Sequence, residues 1–496
     1  MPKPITGTMF TINLDLSSGT PLFKQLYELI RNDILEGRLR AATRLPASRT
    51  LATDVGVSRT TVVNAFDQLR AEGYLQGKVG SGTRVVSTLP ETTMSAAPPS
   101  ASVRQPLPLD ARITYSIRRR WPDIIATETS TARPLRPGNP DLNAFPRDLW
   151  ARLTAKYWHN AHPALLGYGD PRGYQPFRAA IADYVRRVRG VRCDERQVLV
   201  VAGSQQALHL CAQVLLERGD VAWMEDPGYP GARAALMSVG ARLVPRPVDG
   251  EGLVLETRKL TSTSRPRLVY VTPSHQCPLG VVMSVTRRLE LLDFAVRTKA
   301  WIVEDDYDSE YRYFTRPVAA LQSLDRRDRV IYVGTVSKTL IPALRIGYLI
   351  LPESLLEAFT RARRAMDRQP AIADQAVLAE VVSEGWLEKH IRQTRIRYLE
   401  RQRVLVNAIQ SEMPDLLAAP ASDAGMYLVA YLKNRITSVD AARRAAANGV
   451  DLVPLSAILA RAFNERRTGA WVWSVWPWTN PSCGKKAVSS IKRDAR

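Results

Sequence analysis

A stretch of 25 residues between Thr88 and Arg112 divides the 496-residue chain into two unequal parts. It reads TLPETTMSAAPPSASVRQPLPLDAR and consists largely of Pro, Ser, Ala and Thr. Such a composition buries too little apolar surface to form a core, and its prolines stiffen it into a spacer. Ordinary surface loops of this length are uncommon within one domain. The sequence therefore predicts an N-terminal domain over 1–87, a linker over 88–112 and a larger domain over 113–470.

The N-terminal part predicts three helices followed by a hairpin. After Pro21, apolar residues recur with helical spacing until Gly37, and a second helix is predicted over Ser48–Val55. Ser58 is placed to cap a third helix, whose apolar face is formed by Val62, Ala65, Phe66 and Leu69. Extended stretches at Tyr74–Gln76 and Thr83–Val86 flank a glycine-rich turn. A unit of this size and order is typical of small DNA-binding domains.

The second and third predicted helices have the spacing of a helix-turn-helix. Because the apolar face of the third helix turns inward, its polar N-terminal residues are left to meet base edges and phosphates. The alternative is a generic three-helix domain with solvated arginines. The segment Thr20–Val86 resembles the GntR-type winged-helix family through PLFKQLYELIRNDILEGRL, LPASRTLA, VGVSRTTVVNAFDQLRAEGYL and GSGTRVV. That resemblance implies DNA contacts at Arg49, Ser58, Arg59, Thr60, Thr61 and Gly80.

In the larger part, short apolar runs alternate with helical segments as far as Tyr431. This alternation predicts an α/β domain with a mainly parallel sheet covered on both faces. The predicted strands are Val198–Ala202, Val221–Met224, Leu268–Thr272, Trp301–Glu304 and Val330–Val333.

Three of the turns that follow these strands suit an anionic aromatic ligand. Gly203, Ser204 and Gln205 open a helix, whose N-terminus attracts phosphate. The second turn, EDDYDSEYRY, places carboxylates at 304–306 and 308, where one of them could pair with a pyridine nitrogen. A metal site is the competing interpretation, but no histidine lies near in sequence. In the third turn Lys338 follows a strand among small residues, where desolvation would favour imine formation.

Seven motifs in order make the region from Leu135 to Leu351 resemble fold-type I aminotransferases. They are RPGNPDLNAFP, GYGDPRGYQPFR, VAGSQQAL, EDPGYPGAR, TPSHQCPLG, EDDYDSEYRY and GTVSKTLIPALRIGY. Together with the GntR-like segment, the whole chain resembles the MocR-type transcription regulators. The resemblance implies the cofactor pyridoxal 5'-phosphate. No metal is expected, because no histidine lies near the acidic turn in sequence.

The resemblance also implies a role for each matching residue. Lys338 would bind the cofactor covalently, Asp305 would pair with its pyridine nitrogen, and Tyr307 would donate to its ring hydroxyl. Tyr229 would stack on the ring, and Tyr168 would reach the site from a partner subunit. His275 and Gln276 occupy the stretch where aminotransferases place an asparagine beside the ring. The phosphate would be held by Ser204, Gln205, Thr335, Ser337 and Arg345.

The tail departs from the family pattern. MocR-type chains end in a glycine-rich strand and an amphipathic helix, whereas residues 471–478 carry four tryptophans: Trp471, Trp473, Trp476 and Trp478. Tryptophan has only the codon TGG, and reading such a stretch one base later gives Gly-x-Gly. We therefore predict a change of reading frame shortly before Trp471, which leaves 471–496 aberrant and the small C-terminal domain incomplete. A genuine aromatic strand is the alternative.

The expected protein is a cytoplasmic homodimer that binds double-stranded DNA and responds to an amino compound or to pyridoxal phosphate itself. The formal net charge of +21 supports a nucleic-acid partner. No run of apolar residues is long enough to span a bilayer. We expect regulation rather than turnover. The alternative is a working aminotransferase that carries an accessory DNA-binding domain, because the same residues permit a transamination half-reaction.

Overall fold

Two compact units make up the chain, Met1–Pro108 and Leu109–Arg496. The structure, a computed structural model, describes residues 14–15, 18–78, 82–87, 135, 138–255, 260–261, 264–315, 318–433, 436–455, 458 and 470–474. The boundary between the units falls inside the stretch predicted as a linker, and 88–112 lie outside the described residues.

The first unit contains three helices and a two-stranded antiparallel hairpin: α1 (Leu22–Leu35), α2 (Ser48–Val55), α3 (Arg59–Ala71), β1 (Leu75–Lys78) and β2 (Gly82–Val85). The bounds of α2 match the prediction, and the hairpin strands differ from theirs by one or two residues. The Ser58 side chain accepts the Thr61 backbone N–H at 3.1 Å, which confirms the predicted cap. The predicted apolar face of α3 is buried and packs into one core with residues of α1, α2 and the hairpin.

An eight-stranded mixed sheet forms the centre of the second unit, in the order β3-β10-β9-β8-β7-β4-β5-β6. Its strands are β3 (Val198–Val201), β4 (Val221–Asp226), β5 (Arg242–Asp249), β6 (Gly252–Leu253), β7 (Leu268–Val271), β8 (Trp301–Asp306), β9 (Val330–Thr335) and β10 (Gly347–Ile350). The five neighbouring strands β9, β8, β7, β4 and β5 pair in parallel. Strand β10 runs antiparallel to β3 and β9, and β6 runs antiparallel to β5. The predicted α/β class with a mainly parallel sheet is confirmed.

Helices cover this sheet and bury most of its strands. They are α4 (Arg147–His159), α5 (Pro163–Leu166), α6 (Gln175–Arg189), α7 (Ser204–Leu215), α8 (Pro230–Ser238), α9 (Val285–Thr298), α10 (Leu321–Leu324), α11 (Leu356–Asp367), α12 (Ala373–Ser383) and α13 (Trp386–Glu412). The four residues of β3 are all buried, which is why this strand reads as a continuous apolar run. No helix within the described ranges is long and apolar enough to cross a membrane.

A second, four-stranded antiparallel sheet follows α13. It contains β11 (Leu417–Ala418), β12 (Tyr427–Leu432), β13 (Val453–Pro454) and β14 (Ala470–Ser474), with helix α14 (Ser438–Ala447) between β12 and β13. Trp471 and Trp473 lie in β14, which pairs with both β12 and β13. Trp476 and Trp478 lie outside the described residues. A strand at 470–474 is compatible with either origin of the tail, so the change of reading frame stays a prediction.

Candidate functional site

The N-terminal turn of α3 presents polar side chains on the surface of the first unit. Arg59 and Thr60 are exposed, as is Ser58, the capping residue. The Thr61 hydroxyl lies 2.8 Å from the Ser58 hydroxyl, so these two side chains also order the start of the helix. The free N-terminus of a helix carries partial positive charge, which favours contact with phosphate. The arrangement suits a helix whose first turn enters a DNA groove.

Two other residues predicted to contact DNA flank this helix. Arg49 lies in the first turn of α2 and is exposed. Gly80 lies outside the described residues, although the hairpin that carries it is formed on both sides of the turn. The Arg84 guanidinium on β2 donates to the Ala42 carbonyl at 3.0 Å and so ties the hairpin to the segment before α2.

The predicted cofactor residues gather at one edge of the large sheet. In a parallel arrangement the carboxyl ends of the strands meet at the same edge, which is where such sheets bind ligands. Strands β3, β4, β7, β8 and β9 all end there, and each is followed by predicted site residues: Ser204 after β3, Tyr229 after β4, His275 after β7, Asp305 and Tyr307 at the end of β8, and Lys338 after β9. The chain folds these distant motifs into one cleft.

The start of α7 provides an anion cradle. Gly203 caps this 12-residue helix with a φ of 86°, a conformation that favours glycine. A Cβ at Gly203 would lie 3.5 Å from the guanidinium nitrogens of Arg345, so this arginine stands beside the helix N-terminus. Its Nη2 donates to the Ala202 carbonyl at 2.9 Å. The backbone N–H groups of the first turn and this guanidinium together suit a phosphate.

Thr335 and Ser337 lie at the end of β9, next to the strand that Arg345 precedes. The Thr335 hydroxyl accepts the Ser337 N–H at 3.1 Å, which turns the chain sharply before Lys338. The side chain of Gln205 already donates to the Gly231 carbonyl at 2.9 Å. Gln205 also lies in the first turn of α7, where its backbone N–H is available to a phosphate.

Lys338 has one short contact within the described residues: its Nζ donates to the Gly138 carbonyl at 2.5 Å. Burial lowers the pKa of this ammonium group, while the carboxylates of Asp308 and Asp305 act in the opposite direction. A lysine whose pKa is lowered in this way presents more of the neutral amine that attacks a carbonyl carbon. Gly138 belongs to the RPGNPDLNAFP motif, but nothing in its side chain marked it as a site residue.

The first three of the five acidic residues in the EDDYDSEYRY motif have different partners in the fold. Glu304 accepts the backbone N–H groups of Leu321 and Gln322 at 2.7 and 2.8 Å, and Asp306 forms a buried ion pair with Arg189 at 2.7 Å. Side chains alternate along a strand, so Asp305 points to the opposite side. No group of His, Cys, Asp and Glu in the described part of the chain is suited to hold a metal ion.

Asp305 is the acidic residue whose carboxylate lacks, within the described ranges, a hydrogen-bond donor that a bound ring could supply. Tyr270 donates to its Oδ2 at 2.8 Å, whereas Oδ1 is buried and has no hydrogen-bond partner among the described residues. Burial raises the pKa of this carboxyl to about 7, and Tyr270 acts in the opposite direction. An unpaired buried carboxylate oxygen is costly unless a ligand supplies a donor. A protonated pyridine nitrogen is such a donor, so the residues present fit pyridoxal phosphate.

The two tyrosines predicted to contact the ring differ in exposure. Tyr229 is partly buried, and its hydroxyl lies 3.4 Å from Gln205 Oε1 at the start of α7. Burial and the nearby charge of Asp305 raise its pKa to about 12, so the phenol stays neutral beside the cleft. Tyr168 is 78% exposed, and the Arg368 guanidinium lies over its ring at 4.0 Å. Within one chain Tyr168 faces outward, as a residue offered to a second subunit would.

The loop after β7 corrects one sequence argument. The acidic motif has no histidine near it in sequence, but the fold brings His275 Nδ1 to 3.0 Å from Asp308. Gln276 Nε2 lies 2.8, 2.7 and 3.2 Å from the Pro227 carbonyl, the Cys277 carbonyl and the Glu225 carboxylate, so three acceptors already share its two hydrogens. Gln276 therefore supplies no donor for a ring hydroxyl, and the contact that an asparagine makes in aminotransferases is not reproduced by its side chain.

Sequence reasoning also missed Glu225, the buried residue that ends the apolar part of β4. Its carboxylate accepts the Thr272 hydroxyl at 2.6 Å and the Gln276 amide at 3.2 Å. Burial raises its pKa to about 7 despite these hydrogen bonds. The EDPGYP motif contained this glutamate, yet only Tyr229 was assigned from it, because a carboxylate before Asp-Pro reads as an ordinary turn residue.

Comparisons with known proteins match both units. Residues 138–464 match the family model described as aminotransferase class I and II, and residues 22–85 match the bacterial regulatory proteins of the gntR family. The chain is 44% identical over 450 residues to a Rhizobium meliloti protein named probable rhizopine catabolism regulatory protein MocR, covering 89% of this chain and 88% of that one. It is 32% identical over 436 residues to the Bacillus subtilis HTH-type transcriptional regulator YdeL, covering 88% and 89%.

Among solved structures, the chain is similar to a Pyrococcus horikoshii kynurenine aminotransferase. The TM-score is 0.67 and the identity 28%, and the match covers 74% of this chain and 93% of that enzyme. The aminotransferase class I and II family depends on pyridoxal phosphate.

Proposed function

We infer the function from the family: the chain belongs to the MocR-type transcription regulators, which join a GntR-type winged helix to an aminotransferase-like domain. We propose that this regulator binds pyridoxal phosphate in its larger unit, and that occupation of that site changes how the winged helices bind double-stranded DNA. The observation that carries the proposal is the unpartnered, buried Oδ1 of Asp305 in the cleft to which Lys338 also belongs.

In this proposal the chain's own residues hold the cofactor by its phosphate, its ring and its aldehyde group. The first turn of α7, Arg345, Thr335 and Ser337 bind the phosphate, while Asp305 keeps the pyridine nitrogen protonated and Tyr229 packs against the ring. Lys338 would be the residue that binds the cofactor covalently. When bound, pyridoxal phosphate would supply an electrophilic carbon with which an amino compound could react. The effector is pyridoxal phosphate itself or such an amino compound.

A second copy of the chain is part of the proposal. Large apolar side chains are exposed on and after α4, with Trp158, Leu166 and Tyr168 exposed by 58, 65 and 78%. Larger exposed apolar patches are typical of protein–protein interfaces. A homodimer would cover them and would present two winged helices to the two halves of an operator, so a change in subunit arrangement would alter DNA affinity.

A working aminotransferase is the second candidate function. A lysine, an aspartate and an anion cradle are also what a transamination half-reaction requires, so the residues alone do not separate sensing from turnover. Multiple-turnover assays with amino and keto acids discriminate the two: the proposed regulator converts at most one equivalent per site, whereas an enzyme continues.

The proposal is tested by the absorption spectrum of the purified full chain with pyridoxal phosphate. We expect a visible band, and borohydride reduction should attach the cofactor to Lys338. Lys338→Ala should lose both signals, whereas Lys389→Ala, which removes an exposed lysine stacked on Trp386, should keep them. A colourless wild-type protein, or labelling of another lysine, would refute cofactor binding at this site.

A further inference from the structure

Two buried tyrosine hydroxyls meet beside the cofactor cleft. Tyr307, at the end of β8, and Tyr427, the first residue of β12, have their hydroxyl oxygens 2.6 Å apart. Each hydroxyl also reaches a carbonyl of the loop after β7: Tyr307 donates to His275 O at 2.9 Å, and Tyr427 donates to Gln276 O at 3.0 Å.

These contacts need more hydrogens than the two hydroxyls have. Each phenol carries one hydrogen, and carbonyls carry none, so three oxygen–oxygen contacts share two hydrogens. Burial raises the pKa of both phenols well above the usual value, so both keep their hydrogen. One tyrosine can donate to the other only by releasing its carbonyl. The cluster therefore has alternative hydrogen-bond arrangements, and a further acceptor would select one of them.

A cofactor ring hydroxyl is such an acceptor. Under the proposed function the Tyr307 hydroxyl donates its hydrogen bond to that oxygen instead of to His275 O. The oxygen of Tyr307 is then available to accept, and Tyr427 can turn its hydrogen from Gln276 O to Tyr307. Consecutive hydrogen bonds of this kind polarise and strengthen one another.

Tyr427 lies in strand β12 of the C-terminal sheet, whereas Tyr307 directly follows strand β8 of the large sheet. The neighbouring contacts join the same two parts: the Met426 N–H donates to Asp308 Oδ2 at 3.3 Å, and the His275 ring lies 4.8 Å from that of Tyr427. A Cβ at Gly425 would overlap the His275 ring, so β12 begins in tight contact with this cluster. A change in the hydrogen bonds of the Tyr307 hydroxyl therefore alters contacts at the start of β12.

We propose that Tyr427 is a positioning residue that acts on the cofactor through Tyr307. Through this contact, occupation of the Lys338 site changes the stability of strand β12. The inference rests on the proposed function and adds the contact through which cofactor binding affects the C-terminal sheet. It predicts that β12 responds to pyridoxal phosphate and that this response needs the Tyr427 hydroxyl.

The test compares the full-length wild type with Tyr427→Phe and with Tyr313→Phe as the matched control. Tyr313 donates to Gly425 O at 2.7 Å, so its loss also removes one hydrogen bond to the segment before β12 but leaves the tyrosine pair intact. Hydrogen exchange of the amides in 425–432 is measured with and without pyridoxal phosphate, and the absorption band is titrated with cofactor and with pH.

In the wild type and in Tyr313→Phe, we expect cofactor to slow exchange in β12. In Tyr427→Phe the band should remain, the cofactor affinity should fall about fivefold, as expected for one ordinary hydrogen bond, and the exchange difference should disappear. The pH midpoint of the band should move in Tyr427→Phe only, which simple loosening of β12 would not produce.

Three outcomes count against the inference. If Tyr427→Phe keeps the wild-type exchange difference and pH midpoint, Tyr427 does not act through Tyr307. A wild-type band without any change in β12 overturns the inference alone, whereas the absence of a band overturns the proposed function as well. Should Tyr427→Phe fail to fold, Tyr307→Phe breaks the same link and must also abolish the exchange difference.

Discussion

Replacing Asp305 by asparagine removes a buried carboxyl that the cofactor-free fold holds at a cost. The Asp305 pKa lies near 7, raised chiefly by burial from the ordinary value of 3.8. One unit of pKa shift corresponds to about 1.4 kcal/mol, so the ionised carboxylate costs the folded state about 4 kcal/mol. Asparagine keeps an oxygen for Tyr270 and carries no charge.

The sign of the effect follows from proton linkage. Between the unfolded and folded pKa values the folded protein binds the proton and the unfolded chain does not, so this carboxyl stabilises the fold at low pH. That stabilisation is fully present below pH 4 and is lost as pH rises to 7. Asp305→Asn lacks this loss, and its stability relative to wild type should rise by about 2–3 kcal/mol between pH 5 and pH 7.5.

Urea unfolding of the cofactor-free chain measures this difference. All ten tryptophans follow residue 120, so their fluorescence reports only on the second unit. Asp293→Asn is the control, because Asp293 is an exposed carboxylate paired with Arg297. If the difference between Asp305→Asn and wild type is the same at pH 5 and pH 7.5, the raised pKa of Asp305 is wrong. The variant should also bind pyridoxal phosphate more weakly, since it no longer favours a protonated ring.

Two further predictions concern the winged helix. Arg59→Ala should weaken operator binding by about 1–3 kcal/mol at matched salt if Arg59 reads a base. The control Arg70→Ala, at the other end of α3 and paired with Asp67, should bind as wild type does. If a titration gives Arg59→Ala the same operator affinity as Arg70→Ala, the placement of α3 is wrong. Ser58→Ala removes the acceptor of the Thr61 N–H and should destabilise α3 by about 1 kcal/mol, seen as faster amide exchange; unchanged exchange would show that the cap contributes nothing.

Much of the fold follows from local pattern. The stripe of α3 and the cap at Ser58 depend on neighbours in sequence, so both could be predicted. Strands β3, β7 and β9 of the large sheet are fully buried and therefore appear as uninterrupted apolar runs. Strand β10 was not predicted, because Gly347–Ile350 follows a turn that reads as part of the lysine motif, and its antiparallel direction depends on pairing with β3 and β9.

The site could be predicted only where a motif marks a residue. Asp305 and Lys338 stand out by residue type and position after a strand. The Gly138 carbonyl that accepts from Lys338 is a backbone group 200 residues away, and no sequence pattern marks it. The contact between Tyr307 and Tyr427 spans 120 residues and joins two sheets. Such contacts arise from the packing of the C-terminal sheet on the cleft, which local pattern does not encode.

The central claim is that occupation of the Lys338 site changes DNA binding. The most direct measurement is the operator affinity of the full chain with and without saturating pyridoxal phosphate, for wild type and Lys338→Ala at one salt concentration. A coupling of about 1–3 kcal/mol predicts a 5- to 150-fold change in affinity for the wild type and none for the variant. Equal responses of the two proteins, or no response in a wild type that carries the bound cofactor, would contradict the account.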